Sequence, residues 1–112
     1  MSPKAAKYLW DALTAIERIQ RFIQDRAFDD YLRDDLLKSA VERQLEVVGE
    51  ALGQLRKSDP DIAAQIADLP RVVAFRNVLI HGYASVDDVL VWGVVTDRLG
   101  SLAQCLRDLL PS

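Results

Sequence analysis

Three stripes of apolar residues, spaced by three and four, constrain this chain more than any other feature. Leu9, Leu13, Ile16, Ile19 and Ile23 form the first. Leu37, Val41, Leu45, Val48, Leu52 and Leu55 form the second, and Trp92, Val95, Leu99, Leu102, Leu106 and Leu109 the third. That period puts the apolar side chains along one face of a helix. No segment shows sustained strand alternation bounded by hairpin turns. The pattern predicts an all-α fold.

The breaks between stripes are legible. Residues 25–30 form a polar joint around Ala27 and Phe28. Asp29, Asp30, Asp34 and Asp35 suit the start of the second helix, where acids meet the positive end of the dipole. Ser58-Asp59-Pro60 ends that helix, because proline disfavours helix in the residue before it. Residues 61–67 predict a short helix. Pro70 suits the first turn of the next one, which stops near Gly82. Ser85, with Asp88 three positions later, reads as a capping box for the last helix. The expectation is a single-domain helical bundle over residues 1–112, with four main helices and one short one, and no linker or repeat. Gly49 and Gly53 lie four apart on the second helix. Two readings stand equal: a close helix–helix crossing, as at a dimer interface, or a thin spot in the core.

The chain has 112 residues, half of them hydrophobic, enough for one packed core. No apolar run reaches the ~18–20 residues that span a membrane. The first seven residues lack an apolar signal core. The single cysteine, Cys105, forms no internal disulfide and reads as a small buried apolar residue. A cytoplasmic protein without a membrane partner is expected. The net charge of −3 argues against nonspecific nucleic-acid binding but allows a local positive site. Arg71 and Arg76 lie in such a stretch, which holds no acid between Pro70 and Ala84.

The segment Phe75-Arg76-Asn77-Val78-Leu79-Ile80-His81-Gly82-Tyr83 contains the only histidine. Histidine exchanges protons near neutral pH, and arginine is shaped to hold a phosphate. On a helix, Arg76 and His81 lie about 140° apart around the axis, whereas Asn77 and His81 share a face. Asn77 can therefore orient the imidazole. Metal-free RNA cleavage needs a base for the 2′-hydroxyl, an acid for the leaving 5′-oxygen and a cation for the phosphorane. One chain offers one histidine; a symmetric dimer offers two histidines and two arginines in one cleft. The competing reading is a histidine that caps or packs at a helix C-terminus. No metal site is expected, since the histidine stands alone and no cysteine pair exists. Glu42, Glu46 and Glu50 form a carboxylate row that reads as a solvated face or as partners for residues such as Arg43. Trp10 and Trp92 read as core or interface residues.

Arg76 through Tyr83 resembles the signature of the HEPN superfamily: arginine, a polar residue, then histidine. The tyrosine two positions past the histidine is similar to that of the HepT-like toxins. Residues 40–51, Ala40-Val41-Glu42-Arg43-Gln44-Leu45-Glu46-Val47-Val48-Gly49-Glu50-Ala51, resemble the helix preceding the motif helix in that family. The resemblance implies a dimeric helical bundle acting as a metal-independent, cofactor-free endoribonuclease, the toxin of a type VII-like toxin–antitoxin pair. It makes Arg76 and His81 the catalytic pair and Asn77 their support, and gives Glu46 a place in the cleft, pairing with Arg76. It also implies a minimal nucleotidyltransferase antitoxin that transfers AMP to Tyr83 and so blocks RNA. The alternatives are a non-catalytic HEPN-like module that binds a nucleotide or partner, and a plain dimerisation domain.

Overall fold

Ser2 caps the first helix, α1 (Pro3–Phe22), by accepting a hydrogen bond from the Ala5 amide at 3.1 Å, and Pro3 occupies its first turn. In this computed structural model, which describes residues 1–82 and 86–111, six more helices follow. They are α2 (Phe28–Arg33), α3 (Asp35–Ser58), α4 (Pro60–Ala63), α5 (Leu69–His81), α6 (Asp88–Asp97) and α7 (Leu99–Leu109). The described residues contain no strand.

Helix α3 is the spine. It packs along α1 on one side and α5 on the other, while α7 returns against α1. The three stripes meet in one core. Leu9, Leu13, Ile16 and Ile19 of α1 and all six residues of the second stripe are buried. Val95, Leu99, Leu102 and Leu106 join them from the C-terminal end, with Trp92 and Leu109 half-buried at its edge. No single described helix is long and apolar enough to cross a membrane.

Four differences from the sequence reading have physical causes. The polar joint contains a helix of its own, α2, because Ala27 and Asp30 close its first turn: the Asp30 carboxylate accepts from the Ala27 amide at 2.8 Å. Asp29 and Asp30 thus open α2, whereas Asp34 caps α3 by accepting from the Leu37 amide. Tyr31 then buries its ring completely, against Trp92 at a centroid distance of 5.3 Å. The short helix of residues 61–67 is shifted and trimmed to Pro60–Ala63. The last stripe is bent by 46° between α6 and α7. There the Thr96 hydroxyl donates back to the Trp92 carbonyl at 2.7 Å, a bond that bends helices. Finally, α6 is capped by Asp87, whose carboxylate accepts from the amides of Val89 and Leu90. The alternative cap, Ser85, lies outside the described residues, as does Tyr83.

Candidate functional site

Gly49 decides where α5 sits. A Cβ built on Gly49 would lie 2.2 Å from the Arg76 Cβ and 3.3 Å from the Val72 carbonyl oxygen. Only glycine lets the two helix backbones approach this closely. Gly53, one turn further on, would meet only a Val73 methyl at 4.0 Å. Of the two readings of this glycine pair, the close crossing holds for Gly49, and it is made within the chain, between α3 and α5.

The crossing delivers Arg76 onto the surface of α3. Its Nη2 donates to the Glu50 carboxylate at 2.5 Å, and its Nη1 donates to the Asn77 amide oxygen at 3.2 Å. Its Nε is buried without a hydrogen-bond partner among the described residues. About a third of the Arg76 side chain stays exposed, at 30%. The carboxylate expected opposite Arg76 was Glu46; the structure uses Glu50 instead. Glu46 pairs with Arg43 at 3.6 Å, along its own helix. One helical turn separates the two glutamates, and Gly49 fixes Arg76 beside the later one.

His81 is exposed and is the last residue of α5. Gly82 ends the helix with its amide donating to the Val78 carbonyl at 2.8 Å. The φ of Gly82 is −110°, so the glycine is not required for a left-handed turn. It is required for space, since a Cβ would lie 2.9 Å from the Val78 oxygen. Arg76 and Asn77 are therefore brought together, while His81 stands five residues on, beyond the groove that Arg76 enters. Among the described residues the Asn77 amide engages Arg76 rather than His81, because a guanidinium offers the stronger, charge-assisted bond. Arg71, the other cation of this segment, faces a separate apolar groove with Phe75, Val89 and Leu90.

A cavity of about 720 Å³ runs along the seam of α1 and α3 and reaches Arg76 and Ile80 at its α5 end. Trp10 lines it and is 58% exposed, so of its two readings, core or interface, the core one does not hold. Trp92, by contrast, packs in tilted contact with Phe28 and Tyr31. Cys105 is half-buried, with its thiol against the Gln65 carbonyl, and burial pushes its pKa up. Burial also raises the Glu42 carboxyl, reinforced by the nearby Asp88 charge and opposed by Lys38. No group of three or more His, Cys, Asp or Glu side chains among the described residues is arranged to hold a metal ion.

The fold and the Arg76–His81 helix define an all-helical domain of the HEPN class. The family model "Ribonuclease HepT-like" matches residues 12–109, and the chain belongs to that family. It is 33% identical over 99 residues to "Probable ribonuclease HepT" of Thermococcus cleftensis, covering 85% of this chain and 86% of that one. It is 30% identical over 100 residues to "Putative RNase MJ1380" of Methanocaldococcus jannaschii, covering 87% and 89%. No solved structure matches significantly.

Proposed function

We propose that this chain is an endoribonuclease whose site is completed by a second copy of itself, and that it is the toxin of a toxin–antitoxin pair. The observation that carries the reading is the placement of Arg76. Gly49 and Glu50 place it at the end of an open groove, with an exposed histidine on the same helix. Among the described residues two of its five N–H groups are engaged by protein, which leaves the guanidinium able to meet a phosphate without leaving Glu50.

In the proposed reaction the RNA 2′-oxygen attacks the adjacent phosphorus and the bond from phosphorus to the 5′-oxygen breaks. The products are a 2′,3′-cyclic phosphate and a 5′-hydroxyl. One His81 takes the 2′-hydroxyl proton, and the His81 of the second copy gives a proton to the leaving 5′-oxygen. Arg76 meets the charge that grows on the phosphorane oxygens. Asn77 holds Arg76 in place. Neither a metal nor an organic cofactor takes part.

Pairing of two copies is supported by the apolar character of α5. Val78, one turn before Gly82, is 52% exposed, and Val89 and Leu90 of α6 are 67% and 53% exposed. Such side chains on the histidine-bearing helix and its neighbour suit a two-fold contact that brings two His81 together. The antitoxin is a minimal nucleotidyltransferase that transfers AMP to Tyr83. The added phosphate and nucleoside then compete with RNA for Arg76.

The test is to incubate the purified chain with RNA in EDTA and analyse the ends. Cleavage leaving cyclic phosphate and 5′-hydroxyl ends is expected. Uncut RNA, bound or unbound, would favour a non-catalytic HEPN-like binding module. Co-expression with the neighbouring nucleotidyltransferase tests the control step. An AMP mass increase on the Tyr83 peptide, absent in Tyr83→Phe, is expected; an unmodified Tyr83 in a neutralised complex would mean inhibition by binding alone.

A further inference from the structure

We infer that the α1–α3 groove is a single-stranded RNA subsite, in which Trp10 stacks a nucleobase of the strand leading to Arg76 and Arg18 holds a phosphate. The inference rests on the ribonuclease reading and extends it from the scissile bond to the flanking nucleotides. Three observations carry it. The first is continuity: one cavity of about 720 Å³ contains both Trp10 and Arg76. From Lys7 to Arg18 the α1 wall runs about 16 Å, at 1.5 Å per residue. That is long enough for more than the single phosphate at the cleavage point.

The second observation is the chemistry of the walls. The acids of the groove are each matched by a cation. Lys7 pairs with Asp11 at 2.6 Å, Arg43 with Glu46 at 3.6 Å, and Arg76 with Glu50. Arg18 is exposed and has no acidic partner among the described residues. The groove therefore carries one surplus positive charge on a chain whose net charge is −3. The third is the exposure of Trp10. Of the seven large hydrophobic residues exposed among the described residues, Trp10 alone lines this groove. The core of a protein–protein contact is a contiguous apolar patch, depleted in charge. An exposed aromatic face beside the half-buried Tyr8, whose ring lies under Lys7 at 5.8 Å, among paired charges with one cation to spare, is instead the composition of a base-stacking platform.

The probe is a short fluorescent RNA oligomer with methylated 2′-oxygens, which binds but cannot be cut by attack of the 2′-oxygen. Its affinity is read by anisotropy for the parent, Trp10→Ala, Trp10→Phe and Arg18→Gln, with light scattering for the mass of each protein. Loss of one stacking aromatic weakens binding by about 5- to 150-fold, and Trp10→Phe retains more affinity than Trp10→Ala. Arg18→Gln lowers the slope of log affinity on log salt by about 0.7, the contribution of one phosphate contact to a single strand. Trp10→Ala that binds like the parent overturns the subsite. So does Trp10→Ala that changes the assembled mass, since a second protein copy would then occupy the groove. In either case a parent that still cleaves unmodified RNA leaves the ribonuclease reading standing; a parent that neither binds nor cuts RNA overturns both.

Discussion

Gly49→Ala separates the stability of this protein from its activity. The added methyl carbon would lie 2.2 Å from the Arg76 Cβ, against ~3.5–4.0 Å for a normal carbon contact. The obstructing atom is a Cβ fixed to the α5 backbone, so no rotamer change relieves it. Helix α5 must move by roughly 1.5 Å, the shortfall in that contact. Overpacking of this kind costs about 1–3 kcal/mol, while replacing a mid-helix glycine by alanine returns about 1 kcal/mol. The net loss of stability is therefore about 0–2 kcal/mol, and the variant folds. Activity suffers more. Displacing a catalytic group by about 1 Å costs on the order of 10²-fold in rate. We expect kcat/KM for RNA to fall about 10²-fold, with a fall in Tm of no more than about 10 °C. Gly53→Ala is the matched control, since its new methyl meets nothing closer than 4.0 Å. It should be more stable by up to about 1 kcal/mol and fully active. A Gly49→Ala protein that gains stability and keeps parental kcat/KM would refute the argument that this crossing positions Arg76.

Arg76→Ala should lower RNA cleavage by about 10²–10³-fold, and Arg76→Lys should recover little of it, because an ammonium cannot hold Glu50 and a phosphate in the same planar geometry; steady-state rates with one RNA substrate check both. Tyr31 is fully buried and its hydroxyl has no hydrogen-bond partner among the described residues. Tyr31→Phe removes that orphan and keeps the ring against Trp92, so it should stabilise the fold by about 1–3 kcal/mol, read as a raised midpoint in urea. Burial raises the Glu42 carboxyl above its unfolded value, so the folded state holds this proton more tightly than the unfolded state. Stability is thus lost as pH rises from the unfolded pKa through the folded one. Glu42→Gln should raise Tm at pH 7 and change it little at pH 4; the opposite ranking would contradict the sign of the shift.

The fold was legible because its core is made by three stripes whose spacing survives in the structure almost residue for residue. Leu37 through Leu55 are buried at all six stripe positions, since a long helix packed on two sides has no freedom to place them elsewhere. What the sequence concealed depends on contacts distant in the chain. The bend between α6 and α7 goes with a Thr96 hydroxyl turned back onto Trp92, which no periodicity encodes. Helix α2 is too short to show a period. The partner of Arg76 was displaced by one turn, from Glu46 to Glu50, because the register of α5 on α3 is set by Gly49 and not by the carboxylate row. The glycine itself was the available signal, since a mid-helix glycine has a reason to be there. Trp10 reads by residue type as core or interface, and only its 58% exposure rules out the core.

The role proposed for His81 is proton transfer in RNA cleavage. The direct measurement is the single-turnover cleavage rate of one RNA by the parent and by His81→Ala, in EDTA, with circular dichroism melts of both proteins. His81 is exposed at the end of α5, so its removal should leave the melt unchanged. That role predicts a rate lower by about 10²–10⁴-fold in the variant, the usual worth of a positioned acid–base group. Equal rates for the two proteins would contradict it and leave His81 as a helix-terminal residue with no part in the chemistry.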